Sequence, residues 1–242
     1  MIVGWRLSAL AHVVVAANRD ELLARPTDPP LLLAEDPPRW GGRDRLAGGT
    51  WLAVDPVGRV AAVTNRHPGG RPPGRDSTRR SRGVLPLDAL RGSDAEAREW
   101  ASGLDERGFN PVNLLYASPT DAWCVSMDDK GGRSVTELEP GVHVLTEQDV
   151  DDPDDAKTQA ILAAATAASS TAPSADGLLA RWREILRSHE ATYAGSPACI
   201  HGDTYGTVSS ATVQVGGTSG GWSVQYDHAE GPPCRTPFRP VL

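Results

Sequence analysis

Apolar and polar positions run in short blocks along the chain. The first block, residues 13–17 (Val-Val-Val-Ala-Ala), is continuous rather than alternating. That is the pattern of a strand buried on both faces. It ends on four polar residues, Asn18, Arg19, Asp20 and Glu21. Strand side chains alternate, so Asn18 and Asp20 leave on one face, and Arg19 and Glu21 on the other. Polar groups leaving a core strand must pair with one another or line a site, because an unpartnered buried charge is costly. An Arg–carboxylate clamp and a ligand or catalytic site both fit the pattern.

The same reading predicts a hairpin over 50–54 and 59–64 around the turn 55–58, and a second over 112–117 and 121–127 around 118–120. Residues 141–145 form a further strand, and 209–215 with 222–226 a last hairpin across the glycine-rich 216–221. Helices are expected over 83–90, 94–104, 156–168 and 178–189. Ser93 with Glu96 matches a capping box. Leu179, Trp182, Ile185 and Leu186 make an apolar face on the last helix. The acidic run 149–155 lacks the glycine of a calcium loop and instead supplies charge to the start of the third helix. Strands early, helices in the middle and strands late give an α+β class, read as a single domain over 1–242.

Composition narrows the setting. The 242 residues suffice for one sizeable core, and no apolar run reaches the length of a membrane span. The first residues lack the zones of a signal peptide, so a cytoplasmic protein without membrane insertion is expected. The net charge of −7 disfavours nucleic-acid binding. Cys124, Cys199 and Cys234 are odd in number and widely spaced, which argues against a disulfide framework and a zinc site. Lys130 and Lys157 are the only lysines, so arginine carries nearly all the positive charge, a usage suggesting a GC-rich bacterial genome. The stretch 66–82, dense in Arg, Pro and Gly, reads as a solvated mobile loop whose charge could also serve an anionic ligand.

Polar or glycine-rich clusters close the strands in order. After residues 18–21 come Gly41-Gly42-Arg43-Asp44, Gly48-Gly49-Thr50-Trp51, Thr64-Asn65, Ser81-Arg82-Gly83, Phe109-Asn110 with Asn113, and Tyr205-Gly206-Thr207 with Ser209-Ser210. Each alone is an ordinary turn or cap. Together with Arg25-Pro26 and Pro140-Gly141, the ordered set resembles the NRDE family, the transport and Golgi organisation protein 2-like proteins. The likeness runs over nearly the whole chain. It implies an N-terminal-nucleophile hydrolase-like fold, a four-layer αββα sandwich of two antiparallel sheets. In that superfamily, which includes penicillin V acylases and bile-salt hydrolases, an N-terminal Cys or Ser attacks an amide with its own α-amine as base. Carried over by motif, Asp20 orients the nucleophile and amine, with Asn18 in the same strand-end motif, and Asn65 stabilises an oxyanion.

The chain departs from the family pattern at three places. Ile2 follows Met1 where a Cys is usual, Glu147 stands for an Asn, and Val208 for an Arg. Asp20, Asn65 and Asn18 are therefore catalytic only if a nucleophile precedes Ile2. Three functions follow. The first is a non-catalytic carrier of haem or another small hydrophobic anion, since relatives are linked to haem trafficking and to lipid or acyl-CoA homeostasis. Arg19, Trp51, His67 and Arg82 would bind the ligand. Trp5, Trp40 and Trp123 would add apolar walls, and His12, His143 and His201 are further axial candidates. The second is an amidohydrolase whose true N-terminus carries a Cys. The third is a structural protein with the 18–21 cluster as a folding clamp. No resident metal is expected: Cys199 and His201 share a face, but read as a core Cys beside a capped His.

Overall fold

The computed structural model describes all residues except 9–10, 68–73, 75 and 191–196. The chain divides into two compact units, one of residues 1–25, 140–144 and 151–242, the other of 26–139 and 145–150.

The first unit holds a six-stranded antiparallel sheet. Its strands are β1 (Ile2–Ser8), β2 (Ala11–Leu22), β10 (Gly141–Val144), β11 (Tyr205–Thr218), β12 (Gly221–Ala229) and β13 (Arg239–Pro240), in the order β10-β1-β2-β11-β12-β13. Helices α3 (Ala156–Ser170) and α4 (Ala175–Arg187) cover one face. Ile2, Val14 and Ala16 pack there against Ile161, Ala165, Leu179, Trp182 and Leu186. The indole N–H of Trp182 donates to the Ala165 carbonyl at 3.2 Å, so its one polar atom is satisfied inside the core. Asp155 caps α3 by accepting from the Thr158 N–H, the service expected of the acidic run.

The second unit holds a seven-stranded antiparallel sheet in sequence order: β3 (Thr27–Glu35), β4 (Pro38–Asp44), β5 (Leu52–Val54), β6 (Val60–Asn65), β7 (Val112–Ala117), β8 (Ala122–Met127) and β9 (Arg133–Glu137). Helices α1 (Leu85–Ala89) and α2 (Asp94–Ser102) pack on it through Leu85, Ala89, Ala97 and Ala101. Trp123 is fully buried and stacked on Tyr116 with ring centroids 4.8 Å apart, so it fills core rather than walling a pocket. The Ser93–Glu96 capping box forms with both of its bonds.

The α+β class and both expected central hairpins stand. Three element readings change. Strand β2 does not stop at Ala17 but continues through Leu22, because β11 pairs with it all the way: Ser210 opposite Asn18, Thr207 opposite Asp20 and Tyr205 opposite Leu22. The last hairpin turns at Thr218–Gly221, leaving Gly216 and Gly217 inside β11. Residues 199–201, whose pattern reads as a short strand before a turn, make only one isolated bridge, His201 to Gly206. The stretch 66–82, expected as a mobile loop, lies partly outside the described residues. Its described end is tied down, with Asn110 bonded both ways to the Asp76 backbone, and with Arg79 donating to the Phe109 carbonyl.

In β12, His228 is 8% exposed, and its Nδ1 has no hydrogen-bond partner among the described residues. Burial pushes its pKa down to about 4. The unfolded chain then binds a proton that the folded chain refuses between that value and the ordinary one near 6.5. Stability is therefore held above pH 6.5 and falls as the pH drops toward 4, by roughly 3 kcal/mol in all. Urea unfolding at pH 7 and pH 4.5 checks this, with His228→Leu losing distinctly less stability across the interval than the wild type.

Candidate functional site

The polar end of β2 sorts by face as a strand requires. Asn18 and Asp20 continue the face of Val14 and Ala16, which packs on the helices. The Asn18 amide donates to two backbone carbonyls, Leu186 at the end of α4 (2.9 Å) and Ala198 (2.7 Å). Its own Oδ1 accepts from the Ser210 hydroxyl at 2.6 Å. Asp20 Oδ1 accepts from the Thr207 hydroxyl at 2.6 Å, and the same Thr207 oxygen accepts from the Ile200 N–H at 2.9 Å. Arg19 and Glu21 take the other face. There Glu21 is paired at 3.8 Å with Arg19 and at 3.6 Å with Arg25. At the tip, Leu22, Leu23 and Tyr205 are 52%, 50% and 42% exposed.

The remaining sequence-predicted site residues belong to the second unit. Asn65 ends β6 opposite Val112 and is exposed. His67 donates its N–H to the Glu147 carbonyl at 2.7 Å, and Arg82 donates its guanidinium to the Pro111 carbonyl at 3.0 Å. Trp51 lies over Gly42, where an added Cβ would stand 2.3 Å from the ring. Asn113 donates to Thr64 and to the Gln148 carbonyl, and Thr64 donates to the Thr146 carbonyl at 2.7 Å, so the segment carrying Glu147 is fastened to β6 and β7. Gly49, at φ +79°, touches Gly83; any Cβ on it would come within 2.2 Å of the Gly83 carbonyl. The Thr50 N–H donates to that same carbonyl at 2.8 Å.

The ordered motifs thus meet in pairs. The strand end 18–21 joins the 205–210 run, 48–50 joins 81–83, 64–65 joins 113, and 109–110 joins the end of the Arg-rich stretch. The residues that sequence reasoning left without a role are Thr207 and Ser210, whose hydroxyls donate to Asp20 and Asn18. Their signal was the Tyr-Gly-Thr-x-Ser-Ser run itself. The two carbonyls bound by Asn18 carry no sequence signal.

Histidines proposed as haem ligands have other neighbours. His12 packs against Trp222 with the rings tilted and their centroids 4.7 Å apart, and His143 Nδ1 pairs with Asp151 at 2.6 Å. Among the described residues, the one group of His, Cys and acidic side chains whose atoms converge tightly enough for a metal ion is His189, Cys199, His201 and Cys234.

With two antiparallel sheets carrying helices, the fold is N-terminal-nucleophile hydrolase-like. The chain belongs to the family Transport and Golgi organisation 2, whose model matches residues 2–223. A comparison with curated protein sequences gives no match. Among solved structures, it is similar to a Caenorhabditis elegans N-acylethanolamine-hydrolyzing acid amidase ortholog, at 14% identity and a TM-score of 0.56, covering 88% of this chain and 91% of that one. It also matches a mutant conjugated bile acid hydrolase from Clostridium perfringens, at 8% identity and a TM-score of 0.49, covering 100% of this chain and 97% of that one. No helix among the described residues is long and apolar enough to cross a membrane.

Asn18→Ala removes the donor of two carbonyls and the acceptor of Ser210 at once. It is expected to cost about 2–4 kcal/mol. Arg19→Ala, whose pair with Glu21 is long at 3.8 Å, is expected to cost less than Asn18→Ala. Chemical denaturation of the two variants checks the order; equal losses would contradict the face assignment.

Proposed function

We propose that the protein is a non-catalytic binding protein for a small amphiphilic anion, haem being the reference ligand. One observation carries the reading. The tip of the β2–β11 ladder exposes Leu22, Leu23 and Tyr205 on the same few residues that bear Arg19 and Arg25. Apolar side chains exposed at the end of a strand that also carries part-buried guanidinium groups suit a ligand with a hydrophobic body and a carboxylate. Asn18 and Asp20 support it indirectly: their polar atoms serve the backbone and hydroxyl partners described above, as scaffold groups do.

A second reading is favoured by the fold alone. The amidase ortholog hydrolyses N-acylethanolamines by its name, and an acyl-amide hydrolase on the present fold would need a nucleophile that Ile2, buried in β1, does not supply. Under that reading, Asp20 would orient the missing group and Asn65 would hold the oxyanion, in a form with a Cys ahead of Ile2.

Haem titration followed by the Soret band distinguishes the two. Saturable binding with a shifted band is expected, weakened about tenfold or more in Arg19→Glu combined with Leu23→Asp. Absence of saturable binding of both haem and a fluorescent fatty acid would sink the carrier reading. Turnover of an acyl-amide panel by an N-terminally extended form with a free Cys would put the hydrolase in its place.

A further inference from the structure

Three backbone segments of the first unit converge where no described function uses them. The second residue after α4 brings His189, the stretch before β11 brings Cys199 and His201, and the turn after β12 brings Cys234. The segments are tied to one another and to the sheet. The Cys199 N–H donates to the Ser188 carbonyl at 2.9 Å, which sets His189 beside Cys199. Ile200 is bonded through both its N–H and its C=O to Thr207. The 232–236 turn closes on Pro232, and Arg187 donates to the Pro233 carbonyl at 3.1 Å. Asn18 reaches both Leu186 and Ala198, so the 18–21 strand end braces two of the three arms.

The side chains then meet closely. Cys199 Sγ and Cys234 Sγ are 3.7 Å apart, and His201 Nε2 lies 3.7 Å from the first and 3.2 Å from the second. The His189 and His201 rings are parallel within 7°, with centroids 4.9 Å apart. Four potential ligand atoms all fall within 4.8 Å of one another. A tetrahedral ion with metal–sulfur bonds of about 2.3 Å and metal–nitrogen bonds of about 2.0 Å needs sulfur–sulfur edges near ~3.8 Å and sulfur–nitrogen edges near ~3.6 Å. The three edges among Cys199, Cys234 and His201 are close to this set, and His189, within 4.8 Å of the others, would turn its ring to complete it.

From this convergence we propose that His189, Cys199, His201 and Cys234 form a Cys₂His₂ site for zinc(II). The pattern escapes a search for paired cysteines, because its ligands come from three separate segments and the two cysteines are far apart in sequence. Two thiolates and two neutral imidazoles match the ion's charge and softness. Cys199 is buried, whereas His189 and His201 are exposed, so the ion has a route in from solvent. Once bound, it would pin the end of α4, the entry to β11 and the turn after β12 to one point. This goes beyond the carrier reading and stands whether or not that reading does.

The test is cobalt(II), then zinc(II), added to the full-length protein after complete reduction and chelation. One cobalt per chain is expected, with the intense ligand-field bands of tetrahedral cobalt and a thiolate charge-transfer band. Zinc should displace it and raise the melting temperature. Cys234→Ser and His201→Ala should each weaken zinc binding at least about 100-fold, with Cys124→Ser as the unaffected control. Reduced wild-type protein that takes up no stoichiometric cobalt overturns the proposal without reference to any variant. So does binding that survives in the Cys199→Ser, Cys234→Ser double variant. A Cys199–Cys234 disulfide that must be reduced before any cobalt enters, followed by stoichiometric uptake, supports the site.

Discussion

Asn18 joins carbonyls 168 and 180 residues away in sequence, and accepts a hydrogen bond from Ser210, 192 residues away. Around it, β2 pairs with β11 from Val13 to Leu22, so the N-terminal and C-terminal parts of the first unit are one antiparallel ladder. The rest of that unit depends on this ladder. Strand β1 and, through it, β10 hang on one edge of β2, β12 and β13 hang on β11, and α4 is stopped by a side chain of β2. Such contacts close very long loops before they return any stabilisation, so the first unit cannot be assembled piecemeal from its N-terminus. The polar residues at the end of β2 supply direction to a pairing that valines and alanines would make in several registers. A slip of one residue would turn Asn18 and Asp20 away from their partners and bury Arg19 against the helices.

The second unit solves its closing problem differently. Its seven strands follow sequence order, so sheet contacts are mostly local. What fastens its ends is backbone proximity. Gly49 and Gly83 come together because neither has a side chain, and the Thr50 N–H finds the Gly83 carbonyl there. Arginines that composition makes conspicuous are largely used inside the unit. Arg98 bridges Asp121 and Glu137, Arg133 reaches the carbonyls at the end of α2, and Arg79 and Arg82 bind the carbonyls of Phe109 and Pro111. A planar guanidinium with several donors can satisfy carbonyls at helix ends and loop crossings that one ammonium could not. Arginine-rich composition here is as much a loop-anchoring device as a ligand signal.

Much of this was legible in the chain. Residues 112–117 and 121–127 are mostly apolar, and both strands of that hairpin are fully buried. Ser93 and Glu96 marked a helix start by a local rule that tertiary context did not override. The strands that went unread share one physical reason: their pattern is broken by residues that only an edge or a close approach allows. β3 contains Pro29 and Pro30, tolerable because it is an edge strand, and β9 is exposed at every position. The extension of β2 through polar residues was hidden because hydrophobicity ended at Ala17, while hydrogen bonding to β11 did not. Alternation predicted that Asn18 and Asp20 would share a face. The carbonyls waiting on that face belong to residues whose identity says nothing of it, and the four side chains around Cys199 are brought together by topology alone.

The family motif therefore carries two kinds of information on one short strand. Its even positions bind inward to carbonyls and hydroxyls and are satisfied by the fold. Its odd positions carry paired charge, and the exposed apolar residues follow them at the tip. Asp20 Oδ1 accepts a 2.6 Å bond from Thr207, and Asn18 binds two carbonyls and accepts from the Ser210 hydroxyl, so both residues fix the ladder whatever chemistry the strand end serves. The motif therefore marks the fold more firmly than it marks any one reaction.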